Sequence, residues 1–171
     1  IVAWFNGRDE FGPRALGSRS FLADPRNDEI RNEINRKIKK RELFRPFAPS
    51  VIEEQCENYF DIKQKSPYMN IVANVLKDKK NIIPAVTHID GTARVHSVSY
   101  EANPMYYNLL KNFGEKTGVP ILLNTSFNIQ EPIVRSPSDA ITTFLKSGVD
   151  ILVIGNYICD SEWKNQNKYN S

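Results

Sequence analysis

Ile121-Leu122-Leu123-Asn124-Thr125-Ser126-Phe127-Asn128 is the stretch that most limits what this chain can fold into. Three aliphatic residues of strand character run into short side chains bearing amides and hydroxyls. Just upstream, Gly118-Val119-Pro120 closes a helix; just downstream, Ser136-Pro137-Ser138-Asp139 opens another. Helix, strand and helix in that order require a sheet with helices packed against it. A buried strand ending in Asn-Thr-Ser-x-Asn sets several small polar groups at one sheet edge, where α/β folds bind ligands. The same residues also build turns by bonding to their own backbone, so the stretch by itself supports both readings.

The flanking sequence extends the pattern. Asn103 can cap a helix with Pro104 at its first position; Met105, Tyr106, Leu109, Leu110 and Phe113 form its buried face, and Gly118 ends it. A strand over 119–123 then leads into the Asn-Thr-Ser-Phe-Asn loop. Ser136 with Asp139 approximates a capping box, Ala140, Ile141, Phe144 and Leu145 face inward, and Gly148 stops that helix. Residues 150–155 read as an apolar strand covered on both faces. Residues 161–171 read as a polar tail that frays.

Upstream, residues 1–5 have strand character, and Ile30, Ile34 and Ile38 give a helix over 27–40 one narrow apolar stripe. Residues 66–73 read as a strand entered through a turn, with an exposed lysine-rich tip at 77–81. Asp90-Gly91 is a turn signal ahead of a half-buried strand over 92–98. Ala93, Val95 and Ser97 share one face of that strand; Thr92, Arg94, His96 and Val98 share the other. The sum is a mixed, twisted α/β sheet.

A length of 171 residues suits one domain with a small appendage, and 40% hydrophobic with 25% charged residues allows a core. The net charge of +3 does not mark a nucleic-acid binder, so the distribution of charge matters more than its sum. Cys56 and Cys159 lie far apart without a CxxC pattern, which fits reduced thiols and a cytoplasmic location. No apolar run reaches membrane-spanning length, so neither a signal peptide nor a membrane partner is expected. The chain starts inside a strand, which leads us to expect a piece of a longer protein.

Two clusters of cations stand out. Residues 7–20 hold three glycines, one proline and three arginines, too irregular for a regular element. Glycine lets backbone amides approach a ligand, and an arginine such as Arg14 offers a planar fork for phosphate or carboxylate. These arginines could equally pair with Asp9, Glu10 or Asp24. Beyond the helix over 27–40, cations alternate with aromatics and prolines through Arg41-Glu42-Leu43-Phe44-Arg45-Pro46-Phe47. The helix dipole accounts for Arg36, Lys37, Lys39 and Lys40 but not for Arg45 past its end, so Lys39, Arg41 and Arg45 are expected to converge on an anion. Arg94 is the further cation to follow. His88 and His96 read as structural, since no Cys, His or carboxylate spacing supports a closed metal site.

Taken in order, Gly7-Arg-x-Glu-Phe-Gly-Pro-Arg-Ala-Leu-Gly-x-Arg-Ser20, Leu22-Ala-Asp-Pro-Arg26, Lys39-x-Arg-Glu-x-x-Arg-Pro-Phe-Ala-Pro-Ser50, Asp90-Gly-Thr-Ala-Arg-Val95, Gly118-Val-Pro-Ile-Leu-Leu-Asn-Thr-Ser-Phe-Asn128 and Glu131-Pro-Ile-Val134 form a pattern. It resembles the C-terminal domain of the O-carbamoyltransferases, which include the nodulation-factor, cephamycin and tobramycin enzymes. The resemblance covers 1–155, with residues to 160 assigned to the same domain. One departure is visible: Gln130 meets Glu131 directly, where the family often has a further residue, so the loop after Asn128 is short.

The resemblance implies a YrdC/Sua5-like fold that activates carbamoyl phosphate with ATP and Mg2+ to carbamoyl adenylate. It also implies an N-terminal Kae1-like domain, absent from this chain, that transfers the carbamoyl group to a hydroxyl and carries an HxxxH-type metal site. Carried over by motif, Lys39, Arg45, Arg94 and Ser126 are the expected catalytic residues. Arg14, Arg41, Asn124, Thr125 and Asn128 are the expected substrate- and nucleotide-binding residues. No metal ligand is expected, magnesium being bound mainly through the ATP phosphates. These residue types suit the chemistry, because two phosphorylated molecules repel each other unless fixed cations neutralise them. Asn124 and Ser126 are expected to bind the carbamoyl amide and carbonyl. A basic cleft could instead bind RNA by shape and phosphate contact, or the isolated domain could be inert without its other half.

Overall fold

The strand carrying Ile121–Ser126 lies at the centre of the sheet. In chain order the computed structural model, which describes residues 1–167, contains β1 (Val2–Phe5), β2 (Arg19–Ala23), α1 (Glu29–Glu33), β3 (Ala48–Ile52), β4 (Phe60–Asp61), β5 (Ile71–Val75) and β6 (Thr92–Val98). There follow α2 (Pro104–Thr117), β7 (Ile121–Ser126), α3 (Pro137–Lys146), β8 (Ile151–Ile154), β9 (Tyr157–Cys159) and α4 (Ser161–Asn167). The nine strands form one sheet in the order β4-β5-β6-β3-β7-β2-β1-β8-β9. Only the β1–β8 and β3–β6 pairs are parallel, so the sheet is mixed as expected.

Period-two alternation sorts the side chains to two faces. Trp4, Leu22, Val98 and Leu122 point to one face, where Tyr106 and Leu110 of α2 cover them. Phe5, Phe21, Val51, Val95 and Leu123 point to the other, beneath Ile34, Ile38, Ala140 and Phe144. Each large side chain buried this way contributes roughly 1.5–3 kcal/mol. The helix ends form as the sequence dictates. Asn103 accepts from the Tyr106 amide at 3.1 Å, Gly118 takes a left-handed φ of 76°, and Ser136 and Asp139 close a reciprocal capping box. No described helix is long and apolar enough to cross a membrane.

Several expectations are corrected. Asn124, Thr125 and Ser126 are strand, not loop: β7 is paired on both sides, with Ser20 opposite Ser126 and Ala48 opposite Asn124, although Ser126 O at the strand's end is taken by Lys39 Nζ and the Asn128 amide. The helix expected over 27–40 keeps α geometry only from Glu29 to Glu33 and then widens into a π turn over Ile34–Ile38, where the Lys39 amide bonds to Ile34 O at 2.8 Å. Met105 is exposed rather than buried. β8 is covered fully on one face only; beside α2 the sheet stays open as an apolar groove of ≈370 Å³. Residues 161–167 of the expected tail are helical, with Trp163 stacked near Phe144; residues 168–171 lie outside the described residues.

Candidate functional site

The parallel register that sets Ser50 against His96, and the antiparallel one that sets Ala48 against Asn124, align the start of β3 and β6 with the end of β7. Arg94 near the start of β6 therefore lies level with Asn124 two strands away. The glycine–arginine loop, anchored at its C-terminal end by β2, folds across the same end of the sheet. Together they enclose a small pocket of ≈110 Å³ whose lining includes Arg14, Arg41, Arg94, Asn124, Thr125 and Ser126. Six of the nine residues singled out in the sequence thus meet on one cavity.

Lys39 and Asn128 do not line it but are bonded to Ser126, which does. The π turn swings Lys39 out of its helical direction, and its ammonium is buried against four oxygens: Ser126 O at 2.6 Å, Ser126 Oγ at 3.2 Å, Asn128 O at 2.8 Å and Asn128 Oδ1 at 2.8 Å. Burial first, and then the neighbouring Arg41, press the Lys39 amine down to about 7, with Glu131 opposing them. Lys39 is thus no dipole complement in water but the bracket that holds the end of β7.

The three arginines lining the pocket are left without counterions. Arg19 pairs with Asp9, as the loop reading allowed, and Arg26 outside that loop pairs with Asp24, but no carboxylate among the described residues pairs with Arg14, Arg41 or Arg94. Arg41 rests over the Phe47 ring at 4.8 Å and donates from Nε to Asn35 Oδ1 at 2.7 Å. Burial and then the adjacent Arg14 lower the Arg94 guanidinium below its ordinary value, and Arg94 Nε is buried without a partner. Arg45 is the exception: half exposed and 3.8 Å from Glu42, it does not line the pocket. It lies close enough to Arg41 to lower that group's affinity for its proton, second to burial.

The hydrogen-bonding capacity left open is specific. Both Asn124 amide hydrogens are taken, by Ala15 O and Ser50 Oγ at 3.0 Å each, while Oδ1 is buried with no partner. Ser126 Oγ gives its proton to Asn128 Oδ1 at 2.7 Å, which leaves it accepting. Asn124 and Ser126 therefore have acceptor capacity left, while the guanidinium groups and the Thr125 hydroxyl are donors in the lining. Asn128 is consumed internally, since its Nδ2 donates to Glu131 O at 2.6 Å.

Sequence reasoning gave no role to Ser50, His96 or Glu131. Glu131 ties down the shortened loop by accepting from the amides of Ile129 and Gln130 and from the Thr143 hydroxyl. These contacts outweigh burial and hold its carboxyl below the usual range. The available signal for Ser50 was a hydroxyl inside the otherwise apolar strand Ala48–Ile52.

A family profile described as the carbamoyltransferase C-terminus matches residues 1–161. The nodulation protein NolNO of Sinorhizobium fredii is 52% identical over 92% of the chain, and NolO of Bradyrhizobium diazoefficiens 51% over 92%. A 3'-hydroxymethylcephem-O-carbamoyltransferase of Amycolatopsis lactamdurans is 38% identical over 91%. The chain spans only 24%, 30% and 30% of those three proteins, respectively.

Proposed function

This chain belongs to the carbamoyltransferase C-terminal family, and we propose that it is the part of an O-carbamoyltransferase that activates the carbamoyl group with ATP. The observation that carries this reading is the convergence of Arg14, Arg41 and Arg94, unpaired with any described carboxylate, on a pocket walled by Asn124, Thr125 and Ser126. Cations held together without counterions repel one another, and a polyanionic substrate relieves that repulsion.

In the proposed reaction, water cleaves carbamoyl phosphate to carbamate and phosphate. A carbamate oxygen then attacks the α-phosphorus of ATP, and the bond to the bridging oxygen of pyrophosphate breaks, giving carbamoyl adenylate and pyrophosphate. The attacking group is already an anion, so no general base is needed in that step. The arginine forks orient the phosphoryl oxygens and neutralise developing charge. The carbamoyl NH2 donates to Asn124 Oδ1 and Ser126 Oγ, and its carbonyl accepts from a guanidinium. The pocket is sized for these reacting groups rather than for a whole nucleotide.

No trio of Cys, His, Asp or Glu among the described residues is grouped to hold a metal, and the pocket lining contains no carboxylate. Magnesium would travel on the phosphates of ATP. Transfer to a hydroxyl acceptor would occur on the remainder of a full-length protein, for which a Kae1-like domain is the expected partner.

Carbamoyl-phosphate-dependent ATP–pyrophosphate exchange tests the proposal. Arg94→Ala and Ser126→Ala are each expected to lower it at least about tenfold, the effect of losing one charged or oriented contact to the transition state. Wild-type exchange in both variants would overturn the reading. So would tight, steeply salt-dependent RNA binding without response to carbamoyl phosphate, which would make the cleft a nucleic-acid surface.

A further inference from the structure

Behind the pocket, three strands contribute a buried polar line that the proposed reaction does not use. Asn124 on β7 donates to Ser50 Oγ on β3 at 3.0 Å, and Ser50 Oγ lies 2.8 Å from His96 Nδ1 on β6. Asn124 is 1% exposed, Ser50 0% and His96 3%, so no bulk water competes with these bonds. Tyr106 of α2 stacks beside the imidazole, with ring centroids 6.2 Å apart.

Valence fixes the first link of the line. Asn124 Nδ2 faces a main-chain carbonyl, Ala15 O, which only accepts, so the amide nitrogen and oxygen cannot be exchanged. Ser50 Oγ accepts the second Nδ2 hydrogen. A neutral imidazole protonated on Nε2 takes the Ser50 proton at its Nδ1 lone pair, whereas one protonated on Nδ1 would donate to Ser50 Oγ and free the Ser50 proton for the buried Tyr106 hydroxyl. Burial lowers His96 to about 4, so the imidazole is neutral in either arrangement, and the line adopts the first.

We propose that Ser50 and His96 are positioning residues that set substrate specificity, by holding Asn124 with its carbonyl oxygen toward the pocket so that the site selects an acyl phosphate bearing NH2 over one bearing a methyl group. The inference rests on the proposed carbamoyl chemistry. Carbamoyl and acetyl phosphate are nearly isosteric, so shape alone discriminates little. A buried acceptor left unpaired by a methyl group discriminates strongly. With Ser50 removed, the amide keeps one anchor and can tilt, which weakens the bond to NH2 and leaves the methyl compound unaffected.

The test compares the affinities of carbamoyl phosphate and acetyl phosphate by calorimetry in wild type, Ser50→Ala, His96→Leu and His96→Asn. Wild type is expected to favour carbamoyl phosphate by about 10- to 100-fold, the cost of one unsatisfied buried group. Ser50→Ala and His96→Leu are expected to reduce that ratio at least about fivefold, by weakening carbamoyl phosphate alone. His96→Asn, whose Oδ1 can still accept from Ser50, is expected to keep it. A general loss of packing would weaken both ligands together and leave the ratio unchanged, which would overturn the inference. Nitrogen NMR of the wild-type chain gives a readout independent of binding. A neutral His96 protonated on Nε2, with slowly exchanging Asn124 amide hydrogens, supports the line. A proton on Nδ1, or freely exchanging amide hydrogens, refutes it. If wild type binds neither acyl phosphate, the carbamoyl reading fails, and the NMR result still decides whether the line exists.

Discussion

Lys39 Nζ lies 2.6 Å from the main-chain oxygen of Ser126, across 87 residues of sequence. A helix that leaves α geometry and a strand end are joined through one ammonium. Its charge both fixes the Ser126–Asn128 turn and adds to the positive potential of the pocket that Ser126 lines. Lys39→Met removes the donor from buried oxygens and is expected to lower stability to urea by about 1–3 kcal/mol at neutral pH. Unchanged stability would show that these oxygens find other partners.

The same lysine gives a pH signature. Its folded value of about 7 lies below the ordinary 10.5, so between those values the unfolded chain binds the extra proton. Stability from this group therefore rises with pH across that window and is lowest below about 7. The stability gap between wild type and Lys39→Met is expected to widen from pH 7 to pH 10. Denaturation series at several pH values measure it, and a constant gap would contradict the assignment.

Arg94 and Arg45 are expected to separate sharply. Arg94→Ala removes a cation pressed against Arg14, so folding stability should hold or rise while affinity for a triphosphate falls about 10- to 100-fold. Arg45 is half exposed outside the lining, and Arg45→Ala should cost less than about fivefold, in line with a screened surface charge. Calorimetry with ATP, paired with thermal melts, checks both. An equal loss in the two variants would mean that Arg45 turns inward when ligand binds.

Gly17 and Gly12 test the loop over the pocket. Gly17 has φ 102°, and a Cβ there would come 2.1 Å from the Tyr106 ring. Gly12 has φ 109° but open space around it. Gly17→Ala combines backbone strain with overpacking and should cost at least about 2 kcal/mol, whereas Gly12→Ala should cost only strain, about 1–2 kcal/mol. Equal losses in denaturant melts would argue against the packed arrangement.

Local sequence rules placed most of the elements. Alternation marked β6 to the residue, Asn103 and Gly118 bounded α2, and Ser136 with Asp139 set the start of α3, because caps and turns are decided by neighbours a few residues apart. The candidate site was legible as residue types: Arg14, Arg41, Arg94, Asn124, Thr125 and Ser126 were all singled out before their convergence could be seen. Where short-range reasoning failed, a long-range partner had intervened. Asn124–Ser126 read as the start of a loop until pairing with β2 and β3 made it central strand, and Lys39, expected to meet Arg41 and Arg45 on an anion, is instead buried against oxygens of Ser126 and Asn128.

Composition, spacing and motif order by themselves determined a mixed α/β domain with a cationic, amide-rich site. Only the tertiary structure decided which cations share the pocket, that Arg45 stands outside it, and that Asn124 keeps its amide hydrogens paired and its Oδ1 buried without a partner. The physical reason is that hydrogen-bond direction and charge pairing depend on atoms brought within about 3 Å by strand register. Those neighbours come from β3, β6 and β7, and no local stretch of the chain specifies them.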